Sequence, residues 1–268
     1  MSSATAHSPN LAHVAAKVKL QPKEHGAYAV VGIPLITALM IAGQTPAGLT
    51  LAGLSIAVAT ITGFLAHEPL LVAFGHRGSR AQRTTPAALR QLGWMLGVTL
   101  TSGVLAVAAS DAPVRWALVG CGAAAVVGFV LAAAGHHRTL GGQLWGLLAL
   151  SAPFVPILLA SSLPLATVLE AWGTWLLGFT ATNQAVRGVI AAQKRHRRTL
   201  PWTVVTLLSL LVVGSTLSGF AIPIVTLPML LITWYLLIDP PHAKHLKRLG
   251  WALVLGTVAT AIWMVWML

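Results

Sequence analysis

The sequence predicts an all-α polytopic transmembrane bundle of about nine spans, and three observations carry that expectation. The composition is 56% hydrophobic and only 8% charged, whereas a soluble domain carries about 25% charged residues. Such a chain lacks the polar surface to stay dissolved, which excludes a soluble enzyme, and its apolar content excludes a disordered chain. Apolar runs of the roughly 20 residues that a spanning helix needs recur from one end to the other. The basic residues behind the formal charge of +12 stand in short clusters between those runs. That spacing is the pattern of membrane orientation and speaks against a nucleic-acid partner. Cys121 is the one cysteine and sits in an apolar run, so no disulfide framework or CxxC metal site is available.

Residues 1–22 read as a cytoplasmic tail ahead of a transmembrane domain over residues 23–268. Met1 to Leu20 is rich in Ser, Ala and His, with Lys17 and Lys19 in an interfacial turn and no sensibly placed signal-peptide cleavage site. The first two spans run from Gly26 to Gly43 and from Ala47 to Ala66, joined by Gln44-Thr45-Pro46. The third covers about Leu92 to Ser110 and the fourth about Trp116 to Ala134, separated by Asp111 to Arg115. The fifth runs from about Gln143 to Ser162, and the sixth from Pro164 to about Ala185. Pro201 to Ile238 holds the seventh and eighth, with a break near Gly219 to Pro223, and the ninth is Gly250 to Leu268. Pro153, Pro156, Pro223 and Pro228 are expected kinks that neighbouring helices tolerate.

Lys and Arg close to span ends fix orientation, because they resist crossing the bilayer. With the N-terminus inside, Arg115 is the only one of the seventeen basic residues that faces outward. Adding or removing one internal helix would invert every later loop and destroy that asymmetry, so the span count is odd. All ten histidines also fall on or near the cytoplasmic side, and the outer loops are short and nearly chargeless. Chemistry is therefore expected at the cytoplasmic mouth. The cluster Lys194-Arg195-His196-Arg197-Arg198 reads as an orientation signal and a contact for anionic lipids.

Five groups of residues carry candidate chemistry. Lys23-Glu24-His25-Gly26 stands at the start of the first span, where Glu24 and His25 suit proton transfer or metal ligation, or else a simple interfacial helix start anchored by Tyr28. His67-Glu68-Pro69 repeats the pairing at the inner end of the second span; if the first two helices form an antiparallel hairpin, the two pairs meet. Two carboxylates and two imidazoles so placed suit a divalent metal or acid-base work. His76, Arg77 and Arg80, flanked by glycines, suit an anion, since arginine offers a planar fork of donors. Asn183 and Arg187 stand on one helical face near the inner end of the sixth span, and Arg187 faces a cavity or partner, or snorkels to the headgroups. Glu170, inside the same span, either serves a proton or ion pathway or lies at the outer interface with Trp172 and Trp175.

The stretch Pro22-Lys23-Glu24-His25-Gly26-Ala27-Tyr28 resembles the N-terminal signature of the YwiC-like family of bacterial integral membrane proteins. Glu68-Pro69-Leu70-Leu71 with its Arg-rich loop, and Ala185-Val186-Arg187-Gly188-Val189-Ile190, are similar to the same family. The likeness implies a multi-pass protein of the bacterial inner membrane and singles out Glu24, His25, Glu68 and Arg187. Nine helices, an inner N-terminus and long cytoplasmic loops after the second and sixth spans also look like the UbiA-type intramembrane prenyltransferases. That likeness implies a Mg-diphosphate site built from those two loops. The family's Asp-rich motifs are missing here: Asp111 and Asp239 are the only aspartates and occupy neither place. A diphosphate would then fall to Arg77, Arg80 and Arg187, with Glu24 and Glu68 on a divalent metal such as Mg.

The resulting expectation is a cavity, open to the cytoplasm, for a lipid or isoprenoid with an anionic head. His67, His76, Arg77, Arg80, Asn183 and Arg187 would bind the ligand, and Glu24, His25 and Glu68 would ligate metal or move protons. The alternatives are a transporter with Glu170 and Arg187 in its pathway, and an accessory protein of a membrane redox complex, which needs no such site.

Overall fold

The computed structural model describes residues 20, 25–76, 78, 82–83, 85–136, 139–242 and 246–268, with backbone alone for His25 and residues 246–248. Its helices are α1 (His25–Gln44), α2 (Leu51–Ala73), α3 (Ala87–Ala108), α4 (Ala112–Ala133), α5 (Leu140–Ser151), α6 (Phe154–Ala160), α7 (Leu165–Gln193), α8 (Thr199–Leu217), α9 (Leu227–Ile238) and α10 (Leu246–Met267). A short 3-10 helix, Ile222–Thr226, leads into α9. Taking α5 with α6, and the 3-10 helix with α9, as broken rods gives nine rods among the described residues, as the apolar runs predict. Seven stretches are long and apolar enough to cross a membrane. The 29 residues of α7 extend about 43 Å at 1.5 Å per residue, more than a bilayer core needs. Its apolar character is diluted by Glu170 and Arg187, whereas Ile222–Ile238 is apolar but shorter.

Local chemistry explains the helix ends. Thr50 caps α2 by accepting from Gly53 N at 3.0 Å, Asp111 caps α4 from Val114 N at 3.4 Å, and Thr139 caps α5 from Gly142 N at 3.1 Å. Inside the rods, hydroxyls turn back onto their own helix, as in Thr37 to Ile33 O at 2.8 Å and Thr101 to Gly97 O at 2.9 Å. Such bonding is what a lipid environment demands of polar groups that water cannot reach. The break after α8 falls where the sequence predicts, at Gly219, whose φ of +93° only glycine adopts readily.

Several boundaries differ from expectation: the sixth span runs on from about Ala185 to Gln193, the third starts at Ala87 rather than about Leu92, and two further differences lie at prolines. The second span does not stop at Ala66: α2 runs through Pro69 to Ala73. Proline costs one backbone bond there, but Pro69, Leu71 and Val72 are buried, and that packing holds the last turn together. The fifth span is not merely kinked at Pro153 but divided into α5 and α6 around Ala152-Pro153.

The chain alternates between two ends of the bundle. At the basic end lie the C-termini of α2, α4, α7 and α9; at the far end lie the turns around Pro46, Asp111, Ser162 and Gly219. The main core fills the far half, where Leu35, Ile41, Phe154, Leu158, Trp175 and Met264 pack together. Toward the basic end, α9 wedges between α7 and α10. Its approach depends on glycines: a Cβ at Gly178 would stand 2.5 Å from Met229 Sδ, and one at Gly188 would run into Leu237 Cδ2. At Gly256 an added Cβ would lie 2.7 Å from Ile232 Cδ1 and 3.4 Å from the Pro228 carbonyl. Small residues at helix crossings are the expected currency of packing in a membrane, where burial from water supplies no drive.

The first two helices are not a closely packed hairpin. α2 lies chiefly along α3, and the Thr62 and Thr99 hydroxyls join them at 2.8 Å. α1 packs instead on α5, α6 and α10, meeting α2 most visibly where Tyr28 and Phe64 stack edge to face at 5.1 Å. Apart from the packing of α2 on α6, as where Gly53 meets Ile157, the α2–α3 pair stands off from the rest of the bundle.

Candidate functional site

The space left by that stand-off is a cavity of about 1640 Å³, walled by α1 to α7 and α10. Drug-sized ligands occupy about 300–1,000 Å³, so the volume matches a longer molecule. Most of its wall is apolar: Val30, Ile56, Leu100, Leu147 and Phe179 are representative. Polar side chains gather where the cavity reaches the basic end, namely His67, Glu68, His76, Gln143 and Asn183. The walls also extend to Arg115 near the far end.

Each polar group is held by a local feature of its helix. Because α2 continues past Pro69, Glu68 is helical and only 1% exposed, one of the largest fully buried side chains. His67 and Glu68 are adjacent on α2 and both border the cavity, as do Gly26 and Ala27 at the start of α1. His76, on the cavity wall, follows Gly75, whose φ of +75° ends α2 in a left-handed turn.

From α7, Thr182, Asn183 and Val186 face the cavity. The Nδ2 of Asn183 is buried and has no hydrogen-bond partner. Arg187, one turn further on, is half-buried and donates from Nη1 to Gln143 Oε1 at 3.0 Å. A partner on α5, rather than escape to the headgroups, therefore accounts for Arg187. One bond leaves most of the five guanidinium donors for other acceptors. Gln143 is the residue that sequence reading missed as a functional group: it served only to mark the start of the fifth span. Its one signal is an isolated amide three residues into an apolar helix.

Of the remaining candidates, Glu24, Arg77 and Arg80 lie outside the described residues, as do Lys23, His137, Arg138, Lys244 and His245, and the side chain of His25 is not described. Among the described residues, no group of three or more His, Cys, Asp or Glu is assembled that could hold a metal ion. Glu68 is the one described carboxylate on the cavity wall, while Arg187 and Asn183 offer donors suited to an anion rather than a cation.

Two charged groups prove structural. Glu170 is not on the cavity wall; its Oε1 accepts from Ile222 N at 3.0 Å and so anchors the 3-10 helix between α8 and α9. Arg198 donates to the Leu237 carbonyl at the end of α9 and lies 6.0 Å from the Trp202 ring, which ties α8 to α9. His136, His196 and His242 are exposed.

No curated protein and no solved structure matches the chain. Residues 21–160 match the family described as YwiC-like protein. The matched stretch is more than half of the chain and holds α1 to α6, hence Glu24, His25, His67, Glu68, His76 and Gln143, but not Asn183 or Arg187. On that match the chain belongs to the YwiC-like family.

Proposed function

We propose that the protein binds a membrane-borne amphiphile, a lipid or isoprenoid, whose apolar chain fills the cavity and whose anionic head rests at the basic end. The observation that carries this reading is one apolar cavity with Gln143 and Asn183 on its polar wall, and with Arg187, one turn beyond Asn183, bonded to that Gln143. The Arg187 guanidinium keeps donors beyond its bond to Gln143, and an anionic head would take them up. Glu68 and His67, with Glu24 and His25 at the start of α1, are the groups available for proton transfer or for a head-bound Mg ion, as in a UbiA-type transferase cavity. The gathering of Lys and Arg at this end argues that it faces the cytoplasm of a bacterial inner membrane, with the C-terminus outside and anionic lipids around the basic clusters. A permease is the second reading, favoured by the cavity's extension to Arg115.

Thermal-shift titration of the purified protein with dodecyl phosphate, inorganic phosphate and dodecanol tests the proposal. Dodecyl phosphate is expected to stabilise the protein well beyond either fragment, with the effect lost in Arg187→Gln. Equal stabilisation by dodecanol would overturn recognition of the head.

A further inference from the structure

The cavity's seams are unequal. Between α2 and α3 the Thr62–Thr99 bond closes the wall, and a Cβ at Gly63 would already touch Thr99. Between α4 and α5 the Trp145 indole donates to the Ala124 carbonyl at 2.9 Å and fills the space before Gly128. Tyr28 and Phe64 join α1 to α2. The seam between α3 and α4 is different. These helices meet at the far end, where Arg115 Nε donates to the Val107 carbonyl at 3.1 Å and Asp111 caps α4. Away from that turn they part company.

Three observations mark the gap as an opening. Leu100 and Val104 of α3 are 67% and 69% exposed, and Val119 of α4 is 61% exposed, yet all three line the cavity. The cavity and the outer surface are therefore continuous through these side chains. Gly103 and Gly122 also line the cavity, and a Cβ added to either meets nothing within 4 Å. Finally, Gly103 stands seven residues before Ser110 and Gly122 eleven after Asp111, about 10 and 16 Å along their helices. Those depths lie within a hydrocarbon core of about 30 Å.

We propose that the α3–α4 gap is a lateral window through which the hydrocarbon chain of a bilayer lipid enters the cavity. It rests on the reading of the cavity as an amphiphile site and adds the route of access: the chain slides in sideways at mid-membrane, and the head stays at the basic end. The route suits hydrocarbon rather than water, because Leu100, Gly103, Val104, Val119 and Gly122 line the gap at mid-depth and Arg115 stands only at its far end.

The test places a bimane fluorophore deep in the cavity, opposite the window, using Leu147→Cys in a Cys121→Ala background, with Thr182→Cys as a second reporter should the first variant fold poorly. Both are reconstituted in nanodiscs of phosphatidylcholine brominated on its acyl chains. The reporter is expected to lose most of its fluorescence to the brominated lipid and little to aqueous iodide. Filling the window with Gly103→Leu and Gly122→Leu is expected to restore the signal, since both positions have room for a side chain. Stronger quenching by iodide, or lipid quenching that the filled window leaves unchanged, would overturn the proposal. Dodecyl phosphate binding measured on the same variants separates the two claims: binding that survives while the window reading fails removes only the route, whereas loss of both removes the amphiphile site.

Discussion

Replacing Asn183 by leucine should strengthen the protein while weakening its function, an unusual sign for a substitution at a cavity wall. The Nδ2 group is buried without an acceptor in the ligand-free protein. A buried, unsatisfied donor costs about 1–3 kcal/mol, and hydrogen bonds within membranes average about 0.6 kcal/mol, so the lower half of that range applies. Leucine is of similar size and lacks the donor, and it stands at a position on the cavity wall. The expected gain is about 1 kcal/mol of stability for Asn183→Leu. Once the Asn183 side chain turns its amide toward a bound anionic head, that amide becomes a charge-assisted donor worth about 1.5–3 kcal/mol, so the variant should bind roughly tenfold more weakly or worse. Reversible unfolding in mixed micelles measures the first quantity, and calorimetric titration with dodecyl phosphate the second. A variant that loses stability would refute the reasoning, because it would show the amide to be satisfied before any ligand arrives.

Other perturbations follow from the same contacts. A double-mutant cycle on Arg187→Met and Gln143→Leu should give a coupling of about 1 kcal/mol, between the membrane average and the charge-assisted range, and a coupling of zero would mean that Arg187 reaches the headgroups instead. Glu170→Leu should cost about 1 kcal/mol by stranding the Ile222 N–H, whereas Glu170→Gln, which keeps an acceptor, should cost much less; unfolding in mixed micelles reads both. Gly256→Leu should cost about 1–3 kcal/mol or prevent assembly, since Ile232 and the Pro228 carbonyl leave no room, while Gly103→Leu should be nearly neutral in the same assay.

Much of this architecture is written in the order of residues. Apolar runs of spanning length and the clustering of sixteen basic residues against the lone Arg115 are one-dimensional signals, and they suffice for the nine rods. The break at Gly219 is equally local, because a left-handed turn calls for glycine. Helix pairing is not local. These helices are apolar nearly all round, so nothing in the periodicity says that α2 prefers α3 to α1; the choice rests on details such as the Thr62–Thr99 bond. Proline as a stop signal misleads at Pro69, where burial of the last turn keeps the helix going. Gln143 stands 44 residues from Arg187, and its role depends on α5 and α7 lying side by side. The cavity itself is a property of how α2 and α3 stand away, which no single segment encodes.

The identity of the molecule that fills the cavity tests the account most directly. Native mass spectrometry of the protein extracted with its surrounding lipid into polymer nanodiscs reads that occupant by mass. The account predicts a retained amphiphile bearing a phosphate or other anionic head on the wild-type chain and its loss from the Arg187→Gln variant. A chain that carries only neutral lipid, or an occupant indifferent to Arg187, would contradict it.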